Sequence, residues 1–187
     1  MPGIRSFIAV EVPENIRNDI SKLVSKLKDL DLAIRWVPVD NIHLTLKFLG
    51  DVEEKVISEI SWILERVSKR YSPFNLYIEG AGVFPGFRAP RVIWFGVRME
   101  DSTLLDLVRD LENELALLGF KKEKRPFSPH LTLGRVKQPG GMERLKPAIQ
   151  GLEVPSTQFL VKEVLLMKST LTPKGSIYST LQRKSLR

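Results

Sequence analysis

The chain of 187 residues contains no cysteine and only two histidines. The absence of cysteine excludes disulfide scaffolds, thiolate zinc sites and cysteine nucleophiles, and it fits a reducing compartment, so we expect a cytoplasmic protein. No stretch approaches the roughly 18 uninterrupted apolar residues of a membrane helix, and the apolar run near the N-terminus is too short for a signal peptide. We therefore expect no membrane partner.

Basic residues outnumber acidic ones, with 29 Lys and Arg against 22 Asp and Glu and a net charge of +7. This excess favours a polyanionic partner such as nucleic acid, although charge alone determines neither fold nor chemistry. Hydrophobic residues make up 43% of the chain, which is enough for a core and excludes general disorder. The sequence has no glycine-rich phosphate-binding loop motif, so it gives no support for an enzyme that joins two molecules at the expense of a bound nucleotide.

Hydrophobic periodicity predicts strands that alternate with helices. The predicted strands cover residues 4–12, 43–49, 74–79, 91–98, 130–136, 158–171 and 176–186. The predicted helices cover residues 14–30, 102–118 and 142–150, and a further helix is expected to begin with Asp51 as its cap and to end before Ser72. A loop rich in glycine and proline is expected at residues 80–91.

The order of these elements occurs twice along the chain. The pairs Phe7 and Ile93, His43 and His130, and Phe74 and Phe159 are separated by 86, 87 and 85 residues. The sequence therefore predicts an internal repeat, approximately residues 1–90 and 91–187, within a single bilobal α+β domain over residues 1–187. We expect two lobes related by a pseudo-twofold axis, each a mostly antiparallel sheet with outer helices, around a central cleft. The lobes are free to exchange strands, because element order does not fix which sheet the terminal strands join.

Both histidines open the same tetrapeptide, His-Leu-Thr-Leu, at residues 43–46 and 130–133. Alternate residues of a strand share a face, so each histidine points with its threonine to one side and the two leucines point to the other. Because the leucines are expected to pack beneath the helices, two histidines and two threonines should meet in the cleft.

Paired histidines suit displacement at phosphorus. With an ordinary pKa near 6.5, one imidazole can act as a neutral base while the other acts as a protonated acid. Threonine hydroxyls can then hold the non-bridging oxygens of the phosphate. The symmetry of the sequence does not say which histidine is the acid.

The two His-x-Thr motifs, the segments FIAVEVPENI, HLTLKFLG and RPFSPHLTLGR, and the chain length together resemble the 2H phosphoesterases. The closest resemblance is to the LigT-like (ThpR) branch of RNA 2′,3′-cyclic phosphodiesterases or 2′-5′ RNA ligases, and it extends over nearly the whole chain. The resemblance implies hydrolysis of a terminal 2′,3′-cyclic phosphate to a 2′-phosphomonoester without metal or other cofactor. It also implies that His43 is the proton donor, that His130 is the proton acceptor, and that Thr45 and Thr132 bind the phosphate.

Four further residues are candidate substrate contacts. Lys47 is expected on the strand face of His43, near the phosphate or at the rim of the cleft. Phe48 and Arg135 each follow a motif histidine by five residues and could hold a base between them, although strict alternation would send Phe48 to the core and bury Arg135. A bulge near Gly134 would turn Arg135 away from the core and toward the cleft. Arg125, at the end of the basic run 121–125, is the residue of that run nearest to the second motif.

Two other functions remain open from the sequence. A ligase would join RNA ends, such as tRNA fragments, through a 2′-5′ linkage at the same site. A non-catalytic RNA-binding module would use only the basic surface and the basic run. We expect RNA bearing 2′,3′-cyclic phosphate ends as the partner, and we expect the protein to be a monomer.

Overall fold

A computed structural model describes residues 3–138, 140–173 and 175–187. The strands of this described chain are β1 (Ile4–Glu11), β2 (Ile34–Trp36), β3 (His43–Val52), β4 (Phe74–Phe84), β5 (Val92–Met99), β6 (His130–Val136), β7 (Thr157–Val161), β8 (Glu163–Thr172) and β9 (Gly175–Ser185). The α-helices are α1 (Glu14–Lys28), α2 (Glu54–Ser68), α3 (Thr103–Leu117) and α4 (Leu145–Gln150), with short 3-10 turns at Val39–Asn41 and Met142–Arg144.

The described strands form one antiparallel sheet in the order β7-β4-β5-β6-β3-β1-β8-β9, and β2 pairs separately with β6. The two motif strands, β3 and β6, are neighbours at the centre of this order and are joined through one residue pair, Leu44 and Leu131. The sheet thus divides into a first lobe (β3, β1, β8 and β9) and a second lobe (β7, β4, β5 and β6). The predicted α+β class with two lobes is confirmed.

The lobes exchange strands. Strand β4 belongs to the first repeat but pairs with β5 and β7, and strand β8 belongs to the second repeat but pairs with β1. The prediction of a single strand over residues 158–171 is wrong, because the chain leaves the second lobe at Val161 and enters the first lobe at Glu163. The burial pattern changes phase at this point: Phe159 and Val161 are buried, and the next core residue is Val164.

Several predicted boundaries change because the strands contain irregularities. Strand β4 continues to Phe84, since Gly80 adopts a φ of 74° where the pairing with β5 shifts register. Strand β3 continues through Gly50 to Val52, so Asp51 is a strand residue and α2 begins only at Glu54. Strand β2 is absent from the predicted strands, and it forms because its three residues pair with β6.

The helices bury one apolar stripe each. In α1 this stripe consists of Ile16, Ile20, Val24 and Leu27, as its period of three to four residues predicts. Helix α2 contacts β8, β9 and α3 on the first lobe, and α4 contacts β4 and α1 on the second. No helix in the described ranges has the length and apolar content needed to cross a membrane. Helix α3 contacts β3, the strand of the first motif.

Candidate active site

The two motifs present their histidines and threonines away from the core, as alternation predicts. Leu44 and Leu131 have no exposed surface, and Leu46 and Leu133 are also buried. The histidine and threonine of each motif are instead partly exposed. Burial of the four leucines under the helices therefore fixes the direction of both functional pairs.

Each histidine is oriented by a backbone carbonyl two residues before it. Nδ1 of His43 donates a hydrogen bond to the carbonyl oxygen of Asn41 at 2.7 Å, and Nδ1 of His130 donates to that of Ser128 at the same distance. Because a carbonyl only accepts, Nδ1 carries a proton in both rings. Nε2 is consequently the nitrogen that each histidine can use to give or take a proton.

The ring of His43 is enclosed by aromatic side chains. Its centroid lies 4.8 Å from that of Phe7 and 5.2 Å from that of Tyr178, which meets it edge to face. Nε2 of His43 accepts a hydrogen bond from the hydroxyl of Thr45 at 2.8 Å. Burial lowers the pKa of His43 below its ordinary value of 6.5, and the hydrogen bond to the Asn41 carbonyl offsets only part of this effect. The neutral ring is therefore favoured in the free protein.

His130 has a different environment. Phe84 meets its ring edge to face, with the centroids 5.0 Å apart. His130 lies directly in the wall of a central cavity of about 800 Å³. His43 does not line this cavity and lies behind Thr45, whose side chain does.

A bulge follows the threonine in each motif strand. The register of β1 with β3 shifts so that Leu46 has no partner, and the register of β5 with β6 shifts so that Leu133 has none. The next outward residue on each strand is thereby displaced to the cleft. Phe48 is 63% exposed, and Phe48 and Arg135 both line the cavity. Alternation alone would have buried both side chains.

Most of the predicted site residues border the same cavity. Its wall includes Thr45, Lys47, Phe48, Arg125, His130, Thr132 and Arg135, together with Phe84 and residues of α3. The wall thus combines basic, aromatic and hydroxyl side chains next to both motifs. Within the described ranges, no group of three or more His, Asp or Glu side chains is placed to hold a metal ion.

Lys47 differs from its prediction. The bulge at Leu46 places Lys47 opposite Ile8, a core residue, instead of on the face of His43. The lysine is 3% exposed, and its Nζ donates to Oε1 of Glu112 at 2.7 Å and to the carbonyl oxygen of Lys121 at 2.9 Å. Its charge is therefore paired within the protein.

The aromatic residues around the histidines were missed by the sequence reasoning. Tyr178 is 135 residues from His43 in the sequence, and only the pairing of β8 with β1 and β9 brings it near. The amide of Asn41 donates to the carbonyl oxygen of Ser176 at 2.7 Å, which attaches the start of β9 to the segment before His43. By contrast, the carbonyl partners Asn41 and Ser128 occupy the same position before each motif, and that symmetry was available as a signal.

Comparison with known proteins places both motifs within one family. The family described as LigT-like phosphoesterases matches residues 10–94 and 97–178. An RNA 2′,3′-cyclic phosphodiesterase of Methanothermobacter thermautotrophicus is 41% identical over 182 residues, which cover 96% of this chain and 97% of the relative. A crystal structure of a Thermus thermophilus protein matches 98% of both chains with a TM-score of 0.83 and 29% identity. The crystal structure of E. coli LigT with 3′-AMP covers 100% of this chain and 99% of LigT, with a TM-score of 0.73 and 28% identity.

Proposed function

The chain belongs to the LigT-like phosphoesterase family, and on that premise we propose that its central cavity is the active site of an RNA 2′,3′-cyclic phosphodiesterase. The observation that carries this proposal is the matched pair of histidines. Each ring has Nδ1 bound to a carbonyl, leaving Nε2 for catalysis, and each is followed two residues later by a threonine that lines the same cavity. The relative from Methanothermobacter thermautotrophicus carries this name.

In the proposed reaction, Nε2 of His130 accepts a proton from water as the water oxygen bonds to phosphorus. The bond between phosphorus and O3′ breaks, and Nε2–H of His43 gives its proton to O3′, so that the phosphate remains on O2′. This division of roles follows the family resemblance. Neither proton transfer requires a metal ion, because the two imidazoles supply both the base and the acid.

The hydrogen bond between His43 and Thr45 gives the threonine a second part in this reaction. While His43 is neutral, the Thr45 hydroxyl donates to Nε2. When the anionic phosphate arrives, its negative charge favours the protonated ring, whose Nε2–H is then a donor. The Thr45 hydroxyl is thereby released to donate to a phosphate oxygen, as Thr132 does from the other strand.

The cavity also supports an RNA substrate beyond the phosphate. Phe48 and Arg135 offer an aromatic and a guanidinium plane between which a terminal base can stack. Arg125 supplies positive charge from the segment before the second motif. A net charge of +7 attracts an anionic chain, with binding that weakens as salt rises. The complex of E. coli LigT with 3′-AMP supports recognition of a nucleotide by this fold.

The test is incubation with an oligonucleotide that ends in a 2′,3′-cyclic phosphate. We expect a 2′-phosphomonoester, identified by its resistance to an enzyme specific for 3′-phosphates. A 3′-phosphate product would overturn the assignment of acid and base, and an unchanged substrate would overturn the proposed activity. A parallel sample with a 5′-hydroxyl RNA tests the ligase alternative, since ligation gives a longer product.

We further propose that residues 1–187 form a single bilobal domain that acts as a monomer in the cytoplasm. The exchange of strands between the lobes supports one domain. Both motifs border a cavity within one chain, which supports a monomer, and the lack of cysteine fits a reducing compartment. Sedimentation of the active protein tests the monomer, and a stable active dimer would contradict it.

A further inference from the structure

Strands β3 and β6 face each other along one edge each, and beyond their single shared residue pair these two edges have different neighbours. Beside the second motif, β2 pairs with β6 at three residues, and the backbone N–H of Val37 donates to the carbonyl oxygen of Leu133 at 2.8 Å. In the second repeat, 87 residues after β2, the chain passes instead through residues 121–128, here called the basic loop. The basic loop lies beside the first motif and forms no strand.

The basic loop borders the cavity through several residues, including Arg125, Phe127 and Ser128. Within the described ranges, no hydrogen bond between backbone atoms connects residues 121–128 to the sheet or to α3. Its side chains from Lys121 to Pro126 are exposed. Phe127, near the far end of the loop, packs against the hydrophobic core, whereas the exposed part from Lys121 to Pro126 has, in the described chain, neither core packing nor backbone pairing to hold it.

The start of the basic loop is attached to a buried ion pair. Lys47 donates to Glu112 and to the carbonyl oxygen of Lys121, and Oε2 of Glu112 accepts a hydrogen bond from the backbone N–H of Glu123 at 3.2 Å. The side chains of Lys47 and Glu112 are 2% and 13% exposed. Lys122 adds a bond from its Nζ to Oδ1 of Asn113 at 2.6 Å. Three consecutive loop residues thus bond to one small cluster on β3 and α3.

We propose that Lys47 and Glu112 are positioning residues that hold the basic loop as the substrate-binding wall of the cavity. The ion pair replaces the strand pairing that attaches β2 on the opposite side. Gly134 holds the equivalent position to Lys47 in the second motif, and a Cβ there would lie 2.8 Å from Ile34 and 2.9 Å from Trp36. One motif strand therefore uses a glycine to admit a neighbouring strand, and the other uses a lysine to bind a loop.

The effect of this ion pair on catalysis rests on the proposed function, and it should concern substrate binding more than the chemical step. The far end of the loop has its own attachment, because the N–H of Val97 donates to the carbonyl oxygen of Pro129 at 3.2 Å. The Ser128 carbonyl that orients His130 lies next to this attachment. Loss of the ion pair should therefore displace Arg125 and Phe127, which face substrate, more than it displaces His130. The expected result is a raised KM with a nearly unchanged kcat.

The first test measures the loop without any substrate. The exposed bonds after Lys121, Lys122 and Lys124 are sites for trypsin, and their cleavage rate in the native protein reports how often the loop leaves its place. We expect cleavage to rise about tenfold in Lys47→Met and in Glu112→Gln. The matched controls are Lys22→Met and Asp19→Asn, which break an exposed ion pair on α1 and should leave loop cleavage unchanged.

The second test uses a double variant, because a single unpaired buried charge can unfold the protein. Lys47→Met with Glu112→Leu removes both charges and keeps apolar volume, so the melting temperature should stay near that of the parent. We expect this variant to keep the raised loop cleavage and to show a KM about tenfold higher for the cyclic-phosphate oligonucleotide, with kcat within about threefold. Parental loop cleavage in the folded double variant would overturn the attachment. A parental KM with increased loop cleavage would overturn the role in substrate binding. If the parent protein itself shows no turnover, the proposed function fails, and the cleavage test still decides whether the ion pair holds the loop.

Discussion

The strands β3 and β6 carry the same four motif residues and the same bulge, but they hold their histidines in different surroundings. His43 lies between Phe7 and Tyr178 and behind Thr45, whereas His130 contacts Phe84 and opens directly onto the cavity. Features present in both strands are those that any proton transfer at the phosphate needs: an Nδ1 fixed by a backbone carbonyl, an Nε2 that is not bound to the backbone in the described part of the chain, and a threonine hydroxyl two residues further on. Features that differ are the ones able to give two identical side chains different proton affinities.

The difference teaches that duplicated motifs do not imply duplicated roles. His43 has a pKa lowered by burial and bonds to the Thr45 hydroxyl, whereas His130 lies in the cavity wall. The two rings therefore meet the same phosphate in different surroundings. The neighbouring Lys47 and Gly134 extend the contrast, because one position binds a loop and the other admits a strand. Substitutions at these positions test both differences.

Removal of either histidine should have the largest effect. We expect His43→Ala and His130→Ala each to lower kcat about 10²–10⁴-fold, roughly 3–5 kcal/mol of barrier. The double variant should lose little more than the worse single variant, because the two groups act in one step. The measurement is hydrolysis of the cyclic-phosphate oligonucleotide, with melting curves to show that the variants fold. A parental rate in either single variant would refute the mechanism.

Removal of the threonine hydroxyls should have the second-largest effect on kcat. It should also distinguish the two motifs, because only one of the hydroxyls bonds to its histidine. We expect Thr45→Val and Thr132→Val each to lower kcat about 10²-fold, since each removes one donor to the phosphate. One limb of the pH profile of kcat/KM should have its midpoint below 6.5, because burial lowers the pKa of His43. Only Thr45→Val should shift that limb, because its hydroxyl bonds to His43. Thr170→Val, at an exposed site on β8, is the control. An equal shift in Thr132→Val would contradict the distinction.

Substitution of Gly134 tests the attachment of β2. A methyl group at this position overlaps Ile34 and Trp36, so we expect Gly134→Ala to lower the free energy of unfolding by roughly 1–3 kcal/mol. Denaturation in urea measures the loss. Gly86→Ala is the matched control, because a Cβ at residue 86 meets no atom within 4 Å. Equal stability of both variants would show that β2 does not pack against β6 as described.

The residues displaced by the two bulges should affect binding. If a base stacks between Phe48 and Arg135, Phe48→Ala and Arg135→Ala should each raise KM about tenfold, within the roughly 1–3 kcal/mol of one stacked base. Arg88→Ala removes an exposed arginine that does not line the cavity and serves as the control. If an abasic end bound with the same KM as a normal end, neither side chain would contact a base.

The smallest effect should appear in stability against pH. The pKa of His43 is lower in the folded protein than in the unfolded chain, so the unfolded chain binds more protons as the pH falls below about 6.5. His43 therefore contributes stability above pH 6.5 that is lost as the pH falls through its folded pKa. Urea denaturation at pH 7 and pH 5 should show a smaller difference in His43→Gln than in the parent. An equal difference would mean that burial does not perturb this ring.

The sequence was sufficient for residues whose placement depends on alternation within one strand. His43, Thr45, His130 and Thr132 belong to this group, because the leucines between them must be buried. Strict alternation misplaces Lys47, Phe48 and Arg135, since a bulge is a property of the pairing between strands and leaves no mark on the alternation of one strand. Tyr178 required knowledge of which lobe receives β9, and the order of elements does not contain it. The change of phase between Val161 and Val164 was visible in the sequence but was not recognised as a break.

The exchange of strands also sets the order in which the molecule can be completed during synthesis. Strand β1 leaves the ribosome before its partner β8, which begins about 150 residues after β1 ends. Until then, one edge of β1 has no partner, and the apolar residues on that strand remain open to other chains. The second lobe is complete earlier, because the partners of β4 are β5 and β7, and β7 ends at Val161. The first lobe is therefore the last to close, and a ribosome stalled before residue 163 would leave both histidines made without the strand pairing that completes the lobe around His43.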